Sequence, residues 1–262
     1  MEKGIQMVVF DWAGTTVDYG SSAPAEVFAR IFRSEGIHFT RNEINGPMGM
    51  EKKAHIRALL SLETGSKQWE EIHGTKWTEE DVERLYEKFE EELFRVVAEY
   101  STPIPGVVET VNELRRQGIK IGSTTGYNAQ MMKQVLPKAL QEGYQADCVV
   151  TPDVTGMGRP TPFMLFECMR QLKVYPANRV VKVGDTVVDM QEGKNAGACS
   201  IGILTGSNLL GLTQEEYEAM EPEELKRRKM ETKKKYLEAG ADMVIDSITE
   251  LPAAIAKLNQ RM

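Results

Sequence analysis

Short apolar runs punctuate this chain, and most end on a small or polar residue. Met7-Val8-Val9-Phe10 stops at Asp11. Ile119-Lys120-Ile121-Gly122-Ser123, Cys148-Val149-Val150, Val180-Val181-Lys182-Val183, Ser200-Ile201-Gly202-Ile203 and Met243-Val244-Ile245 follow the same form. Runs of this length, rich in β-branched residues, read as strands buried on both faces. Helical spacing lies between most of them. Gly106 to Gln117 places Val107, Val111 and Leu114 on one face, and Pro162 to Leu172 reads as a second helix. Strands that alternate with helices predict a parallel, doubly wound α/β sheet covered on both sides.

The strand signal vanishes between Ser21 and Tyr100. Thr78-Glu79-Glu80-Asp81 has the form of a helix start, with Thr78 as N-cap and acids in the first turn. Val82, Leu85, Tyr86, Phe89, Leu93, Val96 and Val97 then recur at helical spacing and predict a core-facing stripe. An all-helical segment, 21–100, is therefore inserted into an α/β domain made of 1–20 and 101–262. Pro103-Ile104-Pro105-Gly106 reads as the linker back to the sheet. A second polar insertion, Thr213 to Gly240, is dense in both charges. It reads as a solvated helical hairpin rather than a basic docking patch.

The net charge of −7 argues against nucleic acid or an anionic membrane as a partner recognised by overall charge. It also requires that any anionic substrate meet positive charge supplied locally. Three cysteines without CxxC spacing, Cys148, Cys168 and Cys199, exclude a complete disulfide framework and fit a reduced, cytoplasmic setting. No apolar stretch approaches the ~20 residues that span a bilayer. Met1-Glu2-Lys3-Gly4 leads into too short an apolar segment for a signal peptide.

Ligands of an open α/β sheet sit at the carboxyl ends of its strands. Asp11 to Asp18 follows the first strand, and Thr124-Thr125-Gly126-Tyr127 follows the second. Gly158-Arg159-Pro160 comes after the third, and Gly184-Asp185-Thr186-Val187-Val188-Asp189 after the fourth. An acid, a hydroxyl, a cation and two further acids thus arrive at one rim. The set suits phosphoryl transfer through an aspartyl-phosphate, with Asp11 as nucleophile. Two anions must then meet, so Mg²⁺ is expected, held by Asp11, Asp185 and the backbone carbonyl of Ala13. Thr125 and the N–H groups around Gly126 are candidate phosphoryl holders, and Arg159 is the candidate counter-charge. Asp189 has two readings: orienting a ligand, or capping the helix that begins beside it.

These four segments resemble the four motifs of the haloacid dehalogenase-like hydrolase superfamily, and the helical insert resembles its cap domain. The likeness covers nearly the whole chain. In phosphatases of the superfamily the first motif is usually Asp-x-Asp, the second acid protonating the leaving oxygen; here that position is Ala13. General acid catalysis contributes ~10²–10⁴-fold, so alanine at this position points to a leaving group that is not an oxygen. Met48-Gly49-Met50-Glu51-Lys52-Lys53-Ala54-His55, together with Asp-Trp-Ala-Gly-Thr-Thr-Val-Asp-Tyr-Gly at 11–20, is similar to the phosphonoacetaldehyde hydrolase family, or phosphonatases. That family carries Met-Gly-x-x-Lys-x-x-His in its cap. Some relatives carry cysteine where Ser21 stands.

The resemblance implies cleavage of a carbon–phosphorus bond. Lys52 condenses with the aldehyde, and the imine accepts the electron pair that would otherwise become a carbanion. His55, one helical turn on, is placed to shuttle protons. Lys53 points ~100° away around the helix, so one lysine enters the site, and the family spacing selects Lys52. A dry, cationic site would keep its amine neutral. Met48 either packs over the imine or fills core, and Tyr127 either lines the pocket or packs. The resemblance also implies a homodimer formed through the cap. The competing readings are a phosphomonoesterase or phosphosugar mutase of the same superfamily, which would be indifferent to loss of Lys52, and a non-catalytic binding protein.

Overall fold

The computed structural model describes residues 4–261. Met1-Glu2-Lys3, on which the signal-peptide reading rests in part, lies outside the described residues. Among those described, no helix is long and apolar enough to cross a membrane.

The elements run in the order β1 (Met7–Phe10), α1 (Ser22–Ser34), α2 (Arg41–Asn45), α3 (Lys52–Ser61), α4 (Glu63–His73), α5 (Glu79–Val96) and α6 (Val107–Arg116). There follow β2 (Lys120–Thr124), α7 (Ala129–Gln141), β3 (Cys148–Val150), α8 (Pro152–Thr155), α9 (Phe163–Leu172), β4 (Val180–Gly184) and α10 (Val187–Ala196). The chain closes with β5 (Cys199–Ile203), α11 (Gln214–Ala219), α12 (Pro222–Ala239), β6 (Met243–Ile245) and α13 (Leu251–Asn259). All six strands anticipated from the apolar runs are present. They form one parallel sheet in the order β3-β2-β1-β4-β5-β6. The register pairs Phe10 with Ser123 on one side and with Val183 on the other.

That order reverses between β1 and β4. The crevice at the carboxyl ends of these two strands is the switch point where ligands of such sheets bind. Asp11 and Asp185 are the residues that emerge there. β1 is buried at every position, as its unbroken apolar run requires for a central strand.

Helices α1 to α5 form the insert between β1 and α6. Thr78 caps α5 as expected: its hydroxyl accepts from the Asp81 N–H, and the Asp81 carboxylate accepts from the Thr78 N–H at 2.9 Å. Val82, Leu85, Phe89 and Leu93 are buried and pack with Phe28, Phe32, Ile56, Leu59 and Trp69 in one continuous core. Tyr86 and Val96 are half-buried at its edge. The Tyr86 hydroxyl accepts from Asn128 Nδ2 at 3.0 Å, joining the insert to α7.

The segment Thr213 to Gly240 departs from a solvated hairpin. α12 packs against α10 and β6 as the crossover between β5 and β6. Its outer face carries the alternating charges read from the sequence, including Arg227 with Glu224 and Glu231. Its inner face buries Thr232 and Tyr236, one turn apart. Tyr236 fills the space above Gly202, where a Cβ would lie 2.6 Å from the ring. One aromatic among many charges is too weak a periodic signal to announce a buried face.

Candidate active site

The turn after β1 is wound tightly around Trp12, whose carbonyl accepts from the N–H groups of Thr15, Thr16 and Val17 at 3.1, 2.8 and 3.0 Å. Gly14 has φ +84°, and a Cβ there would stand 2.1 Å from Asp185 Oδ2. Glycine thus satisfies both the left-handed backbone and the close approach. The turn delivers Thr15, whose hydroxyl donates to Asp185 Oδ1 at 2.7 Å, while the Asn208 N–H donates to Oδ2 at 2.8 Å. Asp185 is held from both sides. Beneath it the Tyr236 hydroxyl lies 2.5 Å from the Asp185 carbonyl and 3.2 Å from that of Ile203.

Asp11, Asp185 and Asp189 each bring a carboxylate oxygen within 4.8 Å of the others, and all three are buried. Burial first, then the charges of Asp11 and Asp189, push the Asp185 carboxyl well above its ordinary range. Burial likewise raises Asp11, against the pull of Arg159. Crowded buried acids of this kind favour a hard cation with oxygen ligands. Ala13 lines the same cavity as Asp11.

Arg159 Nη1 lies 3.0 Å from Asp11 Oδ2 and also pairs with Asp189 Oδ1. Its Nε is buried and has no partner among the described residues. Of the two readings of Asp189, the structure shows the cap, and adds two ion pairs. Asp189 closes a capping box with Thr186 at the start of α10, and it carries the Arg159 and Lys182 pairs. Against the effect of burial, these cations hold its carboxyl down to about 2.

The insert closes the site from above. Gly126 admits the turn Met48-Gly49-Met50 because it has no Cβ; one placed there would lie 2.8 Å from the Met50 carbonyl. Thr125 Oγ1 accepts from the Tyr127 N–H at 3.0 Å, shaping the turn at the end of β2. Met48, Thr125, Gly126, Tyr127 and Arg159 all border a cavity of ≈ 20 Å³, together with Asp11 and Lys52. That is space for about one water.

Lys52 opens α3, which Glu51 caps by accepting from the Lys53 and Ala54 N–H groups at 3.2 and 3.1 Å. Its ammonium is buried, 5.2 Å from the Tyr127 ring centroid and 5.8 Å from that of Phe28. Burial first, and the Arg159 charge second, bring its pKa down to about 8. A helix N-terminus adds to the preference for the neutral amine. His55, fully buried, packs its ring against that of Phe28, tilted by 30° with centroids 3.9 Å apart. Its Nε2 sits 2.9 Å from the Ile44 carbonyl. A carbonyl only accepts, so Nε2 carries the proton and Nδ1 is left with a free lone pair. Among the described residues no partner reaches that Nδ1. Burial and the Lys52 charge hold His55 well below its ordinary pKa, so the ring is neutral.

Asp11, Ala13, Met48, Lys52, Thr125, Gly126, Tyr127 and Arg159 thus border one cavity; Asp185 and Asp189 cluster with Asp11, and His55 is not among the lining residues. Others had no assigned role in the sequence reading. Lys182 and Glu192 are buried charges beneath Asp189. A lysine in the middle of the strand Val-Val-Lys-Val was the available signal. Asp18 accepts from the Ser22 and Ala23 N–H groups at 2.9 and 3.1 Å, and burial pushes its carboxyl up to about 7. Ser21 lines the cavity with an unpartnered hydroxyl.

A family model described as haloacid dehalogenase-like hydrolase matches residues 5–197. The phosphonoacetaldehyde hydrolase of Bacillus cytotoxicus is 48% identical over 257 residues, covering 98% of this chain and 97% of that protein. The phosphonoacetaldehyde hydrolase of Parabacteroides distasonis is 46% identical, covering 99% and 98%. The crystal structure of a phosphonoacetaldehyde hydrolase-like protein from Oleispira antarctica superposes with a TM-score of 0.96 at 37% identity, covering 98% of this chain and 94% of that one. The chain belongs to the haloacid dehalogenase-like hydrolases and, among them, to the phosphonoacetaldehyde hydrolase family.

Proposed function

We infer that the protein hydrolyses the C–P bond of phosphonoacetaldehyde, giving acetaldehyde and phosphate. One observation carries the reading. Ala13, which cannot protonate a leaving oxygen, shares a cavity with Lys52, a buried amine whose pKa lies at about 8. A phosphomonoesterase would need the acid and has no use for the amine.

The chemistry follows from the positions of these groups. The Lys52 lone pair attacks the aldehyde carbon, and loss of water gives the imine. His55 Nδ1 is the free base that can accept and return protons in this step. Asp11 attacks phosphorus, and the electron pair of the C–P bond passes into the protonated imine to leave an enamine. Protonation at carbon and hydrolysis release acetaldehyde and restore Lys52. Water cleaves the aspartyl-phosphate to release phosphate. Arg159 neutralises phosphoryl charge, for which its unpartnered Nε is a free donor. Thr125 and the N–H groups near Gly126 hold the remaining oxygens. Asp11, Asp185 and the carbonyl of Ala13 would hold Mg²⁺, which supplies the positive charge that lets a carboxylate approach a phosphonate.

In this reading residues 21–100 act as a cap that opens for substrate, since the cavity of ≈ 20 Å³ is too small for it. The core comprises 1–20 and 101–262. The three free thiols suit a reducing cytoplasm, and the family resemblance implies a homodimer through the cap. Phosphate release from phosphonoacetaldehyde, measured with Mg²⁺ and after chelation, tests the activity. Borohydride reduction with substrate present should leave a covalent adduct on Lys52. Absence of an adduct on any lysine would sink the imine route.

A further inference from the structure

Lys182 lies in the middle of β4, pairing in register with Val9 of β1 and Ser200 of β5, and is fully buried. Three oxygens surround its ammonium. Nζ is 3.0 Å from Asp189 Oδ1, 3.0 Å from Glu192 Oε2 and 2.7 Å from Thr124 Oγ1. Thr124 in turn donates to Glu192 Oε2 at 2.9 Å. The stem is confined too: a Cβ on Gly193 would lie 2.9 Å from Lys182 Cβ. The ammonium therefore has one place to go.

A buried ion pair is a poor source of stability, because desolvation offsets its attraction and apolar residues of similar size do as well or better. The position of this one is what matters. Asp189 Oδ1, which takes the Lys182 pair, also takes Arg159 Nη1, and Arg159 reaches Asp11. Thr124, which takes another Lys182 proton, immediately precedes Thr125 and Gly126. One ammonium thus touches the anchor of the cationic arm and the base of the hydroxyl turn, two parts of the rim that come from different strands.

We propose that Lys182 is a positioning residue for phosphoryl recognition. Through Asp189 it aims Arg159, and through Thr124 it sets the turn that carries Thr125 and Gly126. Glu192, one turn on from Asp189 along α10, completes the device by holding the same ammonium. The proposal rests on the reading that the site binds a phosphoryl group.

Two variants test it: Lys182→Met, and Lys182→Met with Glu192→Gln, which removes cation and anion together and guards against a single variant that does not fold. Each is titrated with inorganic phosphate in the presence of Mg²⁺ by calorimetry, beside a thermal melt. The phosphate Kd should rise ~10-fold or more, while borohydride trapping at Lys52 persists. A merely structural role would lower Tm and the active fraction but leave Kd alone. A folded double variant whose Kd moves less than about 3-fold overturns the assignment of Lys182. Wild-type protein that binds no phosphate overturns the phosphoryl reading and this proposal with it.

Discussion

Lys52 and Lys53 are neighbours in sequence and occupy opposite environments. Lys52 Nζ is enclosed by the rings of Tyr127, Phe28 and Phe89, whereas Lys53 Nζ stands over Tyr86 and pairs with Glu83 at 2.5 Å near the surface. Lys52→Ala should lower phosphonate turnover by ~10⁴-fold or more, as loss of a covalent group does. Lys53→Ala, which removes an exposed ion pair, should cost about 0–1 kcal/mol of stability and little activity. Steady-state kinetics of the two variants side by side decide it; equal losses would contradict the assignment.

The amine at about 8 fixes the direction of a pH dependence. Lys52 must be neutral to attack, and a lysine with a lowered pKa loses its proton as pH rises through that value. kcat/KM should therefore climb tenfold per unit below about 8 and level off above it. His55 is already neutral across this range and adds no second limb there. The profile is read under conditions where imine formation limits the rate. A flat profile between pH 6 and 9 would leave the amine without its expected role.

Ala13 is the position at which an ester-cleaving relative would need an acid. Ala13→Asp should raise hydrolysis of a simple alkyl phosphate by ~10²-fold. It should also depress phosphonate turnover, because a further carboxylate enters a cavity already bordered by Asp11. Parallel phosphate-release assays on the two substrates measure both effects.

Tyr236 ties the backbone of Asp185 to the last crossover helix. Tyr236→Phe keeps the packing over Gly202 and removes only the hydroxyl. The buried carbonyls of Asp185 and Ile203 lose their donor, at a cost of about 1–3 kcal/mol. In a chain of this length that lowers Tm by ~2–4 °C per kcal/mol. The Mg²⁺ concentration for half-maximal activity should rise, since Asp185 is a proposed ligand. A variant with unchanged melting and unchanged Mg²⁺ demand would show that the contact is idle.

Closure of the insert depends on Gly126, where an added methyl would meet the Met50 carbonyl at 2.8 Å. Gly126→Ala should hold the turn away from the core. KM should rise and trapping of the imine should slow, with little loss of overall stability, because the strain is relieved by opening. Stopped kinetics with excess borohydride separate this outcome from simple unfolding.

The elements, and the residues proposed for the chemistry, were legible in the chain alone. Six apolar runs became six strands because central parallel strands are buried on both faces and tolerate little else. Thr78 and Asp81 announced the start of α5 because their side chains satisfy N–H groups that the helix leaves open. The acids, the hydroxyl turn and the arginine were legible because each follows a strand. Helical spacing put Lys52 and His55 on one face. Tertiary structure decided what spacing cannot encode. The strand order made β1 and β4 neighbours, so Asp11 and Asp185, far apart in the chain, share one crevice. The burial of Lys182 and Glu192 is visible only once α10 lies on β4, because a charge is read as exposed until its partners are found. The inner face of α12 was hidden for a related reason: Tyr236 follows Lys233-Lys234-Lys235, and only docking against the sheet shows which side of that helix leaves water.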